Sequence, residues 1–363
     1  MAGRLDRQAT FSGTKPVADA LAFDPEPLEA YLAKTVTGFA GPLSVEQFKG
    51  GQSNPTYLLT ARSGRYVLRR KPPGKLLPSA HAVDREYRVM KALGEAGFPV
   101  PRVRVLCDDD AVIGTMFYVM DFSEGRVIWE PHCPGMTPDD RAAVYDAMNA
   151  AIAQLHGYDP AALGLADFGK PTGYVARQIA RWSKQYEASA TEDIAEMNRL
   201  MAFLPGHVPP EGAATVVHGD FRLDNVILAP DRNEIIAVLD WELSTLGDPL
   251  GDFTYHLMQW VMPPSRDGSG VGSLLGHDLD ALGIPTIDAY VVRYCERTGR
   301  DGVPDLDYYL AYNFFRMAAI FQGIVGRVRD GTATSENAAS LASQVRPMAE
   351  TAWAFAERAG ATP

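Results

Sequence analysis

Two short polar motifs decide the fold of this chain: His218-Gly219-Asp220-Phe221-Arg222-Leu223-Asp224-Asn225 and, after a β-hairpin pattern, Leu239-Asp240-Trp241-Glu242. Each motif directly follows a short apolar run of strand-like composition. Phosphoryl transfer needs a carboxylate that accepts or orients the proton of the attacking hydroxyl, and oxygen ligands that hold magnesium against the phosphates. The two motifs contain side chains of both kinds.

The spacing H-x-D-x-x-x-x-N in the first motif matches that of a kinase catalytic loop. It predicts Asp220 as the catalytic base and Arg222 as a catalytic cation on the γ-phosphate, with Asn225 and Asp240 as the metal ligands. The alternative interpretation is that His218 and Asp220 only satisfy buried backbone groups, while Asp240 ends a strand as a turn residue. The motifs favour an enzyme that uses ATP and Mg²⁺.

Outward from these motifs, the pattern changes from strands to helices along the chain. The predicted strands and helix before the motifs cover residues 45–48, 56–61, 66–70, 83–96, 103–107 and 116–120. Most of the later segments have helical periodicity. The order predicts an α+β protein with a two-lobed, protein-kinase-like fold: an N-lobe with an antiparallel five-stranded sheet plus a helix, and a mainly helical C-lobe. The predicted divisions are a leader with a helix over 1–42, an N-lobe over 43–122 and a C-lobe over 123–363.

Three parts of the predicted N-lobe are suited to nucleotide binding. A glycine pair between the first two strands lets backbone N–H groups approach phosphates closely, although such a pair is also typical of a plain hairpin turn. On the third strand Arg69 lies where the kinase signature has its lysine, but Lys71 lies on the same face and is an alternative. The residues predicted to bind ATP are Gly50, Gly51, Gln52, Ser53, Asn54, Arg69, Glu86, Met120, Asp121 and Phe122.

Composition excludes several classes of function. The net charge of −11 argues against a general nucleic-acid binder, because such proteins need an excess of cations to neutralise phosphates. Nowhere do about 18 apolar residues run without interruption, and the N-terminus has no apolar core, so we expect a cytoplasmic protein with no membrane partner. Six cations and no carboxylate occur between Arg62 and Lys75, which predicts either a nearby polyanion or a solvated basic strand and loop.

With these residues in place, the chain resembles the aminoglycoside phosphotransferase and choline kinase superfamily, from about Phe48 to Ala361. More narrowly, residues 50–57, 67–74, 77–81 and 85–87 are similar to the kinase-like domain fused to acyl-CoA dehydrogenases in some eukaryotic proteins. This resemblance implies phosphorylation of a hydroxyacyl-CoA acceptor and a functional link to an acyl-CoA dehydrogenase. One departure from the family pattern is Arg69, which replaces a lysine.

The predicted acceptor site lies on a C-terminal helix with an aromatic and basic pattern, where Tyr312, Arg316 and Arg327 are the candidate residues. The alternative is an aromatic helix core with one snorkelling arginine. An aminoglycoside site should instead show clustered carboxylates to meet a polycation. The competing functions are a kinase for an aminoglycoside, choline or a sugar, and a catalytically inactive module that binds a nucleotide or acyl-CoA.

Overall fold

The N-terminal third of the chain forms a sheet because its apolar side chains alternate along short runs: in one strand Tyr57 and Leu59 are buried and their neighbours are not. The computed structural model describes residues 7–50, 54–73, 81–265, 272–330 and 338–362. The N-lobe elements are α1 (Arg7–Phe11), β1 (Thr14–Lys15), α2 (Pro25–Thr35), β2 (Ser44–Phe48), β3 (Thr56–Ala61), β4 (Gly64–Arg70), α3 (Val83–Glu95), β5 (Val103–Cys107), α4 (Asp110–Ile113) and β6 (Phe117–Asp121).

Within the described residues the N-lobe sheet has six strands in the order β1-β2-β3-β4-β6-β5, and every neighbouring pair is antiparallel. The five predicted strands are present. The sixth, β1, comes from the leader and pairs Thr14 with Phe48. A strand of two residues is too short to produce a periodic pattern, so the sequence did not indicate it.

The two faces of this sheet belong to different cores. Leu28 and Leu32 of α2 are fully buried against one face, together with Leu59 and Phe117. The Asp24 side chain accepts a hydrogen bond from the Glu26 backbone N–H and caps this helix. The other face packs on α3 and continues into the core of the C-lobe. The leader is therefore bound to the N-lobe through both β1 and α2, while the exact division at residue 42 remains a prediction.

The C-lobe is built mainly from helices around one core, and the confirmed fold class is α+β. Its elements are α5 (Pro138–His156), α6 (Tyr174–Ser189), α7 (Ala195–Phe203), β7 (Thr215–Val217), β8 (Val226–Leu228), β9 (Ile235–Val238), β10 (Thr245–Gly247), α8 (Pro249–Val261), α9 (Leu279–Leu282), α10 (Ile287–Thr298), α11 (Leu306–Arg329) and α12 (Ala338–Arg358).

Two small antiparallel sheets, β7 with β10 and β8 with β9, carry the polar motifs between them. The β10 strand was not predicted from the sequence. Helix α8 is buried along most of its length, so the polar side chains on its face are held rigidly under the motifs. Among the described residues, no helix is both long and apolar enough to cross a bilayer.

Candidate active site

The loop after β7 is held in place by one buried carboxylate. Asp252 on α8 accepts hydrogen bonds from the backbone N–H groups of His218 at 2.7 Å and Gly219 at 2.8 Å. His218 is itself buried, and its Nε2 lies 2.8 Å from the Leu239 carbonyl oxygen, directly before Asp240. Gly219 has a φ of 85°, and a Cβ there would lie 2.9 Å from Leu243. These contacts fix the two motifs against each other.

Asp220 lies at the centre of this loop, as its predicted role requires. Its Oδ1 accepts a 2.7 Å hydrogen bond from the Tyr255 hydroxyl, and Asn225 Nδ2 donates to its backbone oxygen at 2.9 Å and to its Oδ2 at 3.2 Å. Burial raises the pKa of Asp220, while Arg222 and the Tyr255 hydrogen bond oppose that rise. A carboxylate with a raised pKa is a better proton acceptor, so its environment suits a general base.

Arg222 bridges Asp220 and a second carboxylate in the same loop. Its Nη2 donates to Asp224 Oδ2 at 3.1 Å, and its Nε lies 3.2 Å from Asp220 Oδ1 without the alignment of a hydrogen bond. Arg7 from the leader reaches the same Asp224 oxygen, at 3.3 Å from Nη2. The buried Nε–H of Arg222 therefore remains a donor without an aligned acceptor among the described groups.

The two predicted metal ligands are brought together by strand pairing. Asn225 directly precedes β8 and Asp240 nearly follows β9, and the Leu239 N–H donates to the Asn225 carbonyl oxygen at 2.8 Å. Asp240 has a φ of 64°, in the left-handed region that costs a non-glycine residue roughly 1 kcal/mol. Such strain is typical of a functional position.

Arg69 lies in the cleft between the lobes, where the sequence placed the phosphate-binding cation. Its Nη2 is 2.6 Å from Asp240 and 3.4 Å from Glu242, and its Nε is 2.9 Å from Glu86. Burial raises the pKa of Glu86, and the Arg69 charge opposes the rise. Lys71 instead follows the end of β4 and lies 3.9 Å from Asp84. Of the two alternatives, Arg69 is the one beside the predicted metal ligand.

Two parts of the predicted nucleotide site make contacts inside the protein, and their contact with a nucleotide stays a prediction. One is Asn54, which is fully buried; its side chain donates to Glu86 at 2.8 Å and contacts His81 at 2.8 Å, so it orients Glu86. The other is the segment from Met120 to Phe122. The backbone N–H groups of Asp121 and Phe122 donate to carbonyl oxygens inside the N-lobe, at 2.9 and 3.2 Å. Any contact of this segment with a base must use other groups.

The glycine segment is described only at Gly50, which packs near Phe11 and the ring of Trp129. The predicted nucleotide contacts Gly51, Gln52 and Ser53 lie outside the described residues. Their role remains a prediction.

The predicted acceptor residues on α11 lie in the core beneath the catalytic loop. Tyr312 is fully buried, and Arg316 is 4% exposed. The Arg316 Nη2 donates to the Gly219 carbonyl oxygen at 2.8 Å, and its guanidinium lies over the Tyr255 ring. Arg316 therefore supports the loop from behind. Periodicity alone does not show which face of a buried helix borders a pocket, so the acceptor role of these two residues stays a prediction. Arg327 is exposed near the end of α11, and its role remains a prediction.

The basic stretch from Arg62 to Lys75 does not form one exposed patch in its described part. Arg65 pairs with Glu124, and the buried Arg70 donates to two carbonyl oxygens, at 2.9 and 3.2 Å. Arg69 and Lys71 also lie beside carboxylates, so four of the five described cations of this stretch contact groups of the protein itself, and a nearby polyanion stays a prediction.

Sequence reasoning missed three side chains at the site: Arg7, Asp252 and Tyr255. All three contact the loop across more than 30 residues of sequence, and no spacing rule connects them to it. Glu242 was visible in the second motif but received no role, although it joins Arg69 beside Asp240.

The residues present fit Mg²⁺-bound nucleotide. Among the described residues, no group of three or more His, Cys, Asp or Glu forms a ready-made metal site. Magnesium commonly uses only one or two protein carboxylates and takes its other ligands from substrate phosphates and water. The pair Asn225 and Asp240 provides that limited set of ligands. The Nε–H of Arg222, which has no aligned acceptor in the protein, could donate a hydrogen bond to a phosphate oxygen.

Comparison with known proteins gives a consistent result. The model of the phosphotransferase enzyme family matches residues 44–302. Acyl-CoA dehydrogenase family member 10 of Mus musculus is 44% identical over 96% of this chain and 32% of its own length, and family member 11 of Gallus gallus is 42% identical over 93% and 44%. The chain thus spans less than half the length of these curated relatives.

A crystal structure of a Ralstonia eutropha protein, provisionally named an aminoglycoside phosphotransferase, superposes with a TM-score of 0.84 and 49% identity. It covers 93% of this chain and 99% of that protein. The expected resemblance is thereby confirmed in both its broad and its narrower form. The chain belongs to the phosphotransferase enzyme family.

Proposed function

We propose that this protein is an ATP- and Mg²⁺-dependent small-molecule kinase that transfers the γ-phosphoryl group to the hydroxyl of a hydroxyacyl-CoA. The observation that carries this proposal is the environment of Asp220, a partly buried carboxylate held by Tyr255 and Asn225 beside a pocket that Tyr255 and Arg222 line. A hydroxyl that reaches Asp220 from that pocket would meet a proton acceptor and, beside it, the guanidinium of Arg222.

The roles of the site residues follow from this geometry. Asp220 accepts or orients the hydroxyl proton, and Tyr255 and Asn225 fix the direction of its carboxylate. Arg222 donates to the transferred phosphoryl oxygens, and Arg69 neutralises phosphates from the N-lobe side. Mg²⁺, when bound, would be held by Asn225 and Asp240 and would neutralise charge on the β- and γ-phosphates.

The pocket favours an apolar, uncharged or anionic acceptor over a polycation. Its lining includes the apolar side chains Trp129, Met258, Met262 and Met317. Its charged side chains are Arg7, Arg222 and Asp224, so two cations face one carboxylate. An aminoglycoside or choline would need the opposite balance, whereas a hydroxylated acyl chain would contact the methionines.

The coenzyme A part of the proposal is supported by the relatives and not by the basic stretch, because four of its five described cations contact groups of the protein itself. The two curated relatives are named as acyl-CoA dehydrogenase family members. We therefore also propose a functional link to an acyl-CoA dehydrogenase. Since a phosphate is a better leaving group than hydroxide, a phosphorylated acyl thioester would be prepared for elimination.

The test is ATP consumption with Mg²⁺ across 4-hydroxyacyl-CoAs, choline, aminoglycosides and sugars. Asp220→Asn removes the base, and we expect kcat to fall by roughly 10²–10⁴-fold while Mg²⁺-ATP binding remains. The matched control is Asp231→Asn, because Asp231 is a surface residue with a 76% exposed side chain.

Turnover confined to the thioesters and lost only in Asp220→Asn would support the full proposal. Turnover with another alcohol would retain the kinase and reject hydroxyacyl-CoA as its acceptor. Nucleotide binding without turnover across the panel, equal in wild type and Asp220→Asn, would favour a catalytically inactive binding module.

A further inference from the structure

The leader helix α1 places an arginine inside the active site. Arg7 is the first described residue of the chain, yet its side chain is only 8% exposed. Its Nη1 donates to the Trp129 carbonyl oxygen at 2.8 Å, and its Nη2 donates to Asp224 Oδ2 at 3.3 Å. Asp224 is 217 residues away in sequence and belongs to the catalytic loop.

Several contacts fix this arrangement. The ring of Phe11 packs against Trp129 with centroids 5.1 Å apart, and Trp129 Nε1 donates to Ser12 Oγ at 3.1 Å. Two residues later, Thr14 pairs with Phe48 in the N-lobe sheet. The segment from α1 to β1 therefore spans from the catalytic loop to the N-lobe, and Arg7 is held at one end of it.

The charges form a chain from the leader to the base. Asp224 Oδ2 accepts from both Arg7 and Arg222, and Arg222 in turn lies 3.2 Å from Asp220. The Asp224 side chain is 10% exposed. A buried carboxylate that loses its cation is strongly destabilised. If Arg222 were the only cation paired with Asp224, moving Arg222 away would leave the buried Asp224 charge unpaired. The free-energy cost of that unpaired charge would keep Arg222 beside Asp224.

We propose that Arg7 is a positioning residue for phosphoryl transfer: it keeps Asp224 paired, so that Arg222 is free to turn from Asp224 to the transferred phosphate. This inference rests on the proposed function, because it takes the phosphate as the destination of Arg222. Arg7 acts through Asp224 and Arg222, because its Nη2 donates to Asp224 while its Nη1 donates to the Trp129 carbonyl oxygen.

The experiment is a double-mutant cycle of Arg7→Gln and Asp224→Asn, measured as kcat with an acceptor and as basal ATP hydrolysis with water. In the wild-type background we expect Arg7→Gln to lower both rates about tenfold with little change in KM. In the Asp224→Asn background the same change should cost less than about twofold, because no carboxylate is left to hold Arg222. Arg346→Gln is the matched control, since Arg346 pairs with Glu192 on the surface.

Two results would overturn the inference. An equal loss in both backgrounds would show that Arg7 acts independently of Asp224, as part of the leader's packing. A rise in the acceptor KM alone, with kcat unchanged, would make Arg7 an acceptor contact. Arg7→Lys retains the cation and should keep kcat within about threefold of wild type; a tenfold loss there, in folded protein, also counts against the inference. An inactive wild type would refute the proposed function itself, which separates that failure from this one.

Discussion

Replacing Asp252 with asparagine should unlock the catalytic loop and destabilise the whole C-lobe. The carboxylate is fully buried and accepts two backbone N–H groups, from His218 and Gly219, and His156 Nε2 lies 3.2 Å from it. Asparagine has one acceptor oxygen, so one buried N–H would face an amide N–H. Losing a hydrogen bond to a charged group and leaving a buried donor unsatisfied costs roughly 3–5 kcal/mol together.

The pH dependence gives a second, independent test. Burial by itself would raise the pKa of Asp252, but the hydrogen bond and charge of His156 and the His218 contacts hold it below its usual value. A carboxyl group with a lowered folded-state pKa stabilises the protein above its unfolded pKa of about 4. That contribution is lost as the pH falls through the folded pKa. The difference in stability between wild type and Asp252→Asn should therefore narrow below about pH 4.

The assay is urea unfolding followed by tryptophan fluorescence from pH 7 down to pH 3. With an m-value of about 3 kcal/mol/M, the midpoint at pH 7 should fall by roughly 1–1.7 M. Asp167→Asn is the control, because Asp167 forms a surface ion pair with Arg88. A midpoint change equivalent to less than about 1 kcal/mol, or a difference that stays constant with pH, would refute the reasoning.

Two further substitutions and one pH profile test other parts of the site. Gly219→Ala combines a φ of 85° with a Cβ 2.9 Å from Leu243, so the Tm should fall by several degrees; an unchanged Tm contradicts this close approach. Arg69→Lys cannot reach Glu86, Asp240 and Glu242 together, so the KM for ATP should rise about tenfold, whereas an unchanged KM would place the phosphates elsewhere. Burial raises the pKa of Asp220, so this base should become protonated at a pH above the usual aspartate pKa of about 4. We therefore expect kcat to begin to fall before the pH is lowered to about 4. A kcat that stays constant down to about pH 4 would argue against Asp220 as the base.

Local patterns were enough to predict the elements that carry the site. The strands Thr56–Ala61 and Val103–Cys107 have the bounds read from the sequence, because both end at clear breaks in the apolar pattern. The motif around Asp220 was informative for a different reason: its spacing reflects chemistry within one short loop, so no knowledge of the tertiary structure was needed.

What the sequence could not show are contacts between distant segments. Asp252 supports the loop from α8, and Arg7 enters from the leader, although each looks like an ordinary charged residue in its own surroundings. The same limit applies to α11. An arginine within an aromatic helix has one pattern whether it faces a substrate or, as Arg316 does, a carbonyl oxygen of a neighbouring loop.

The net charge of the site residues bears on the proposed binding of Mg²⁺. The charged side chains of the site form two clusters, Arg69 with Glu86, Asp240 and Glu242, and Arg7 and Arg222 with Asp220 and Asp224. With every group ionised the second cluster is neutral and the first has a formal charge of −2, while burial opposes ionisation of both Glu86 and Asp220. A triphosphate alone would be repelled by this excess of negative charge, whereas one divalent cation cancels it. Under the proposed function, the need for Mg²⁺ therefore follows from the protein's own side chains as well as from the charge of the nucleotide.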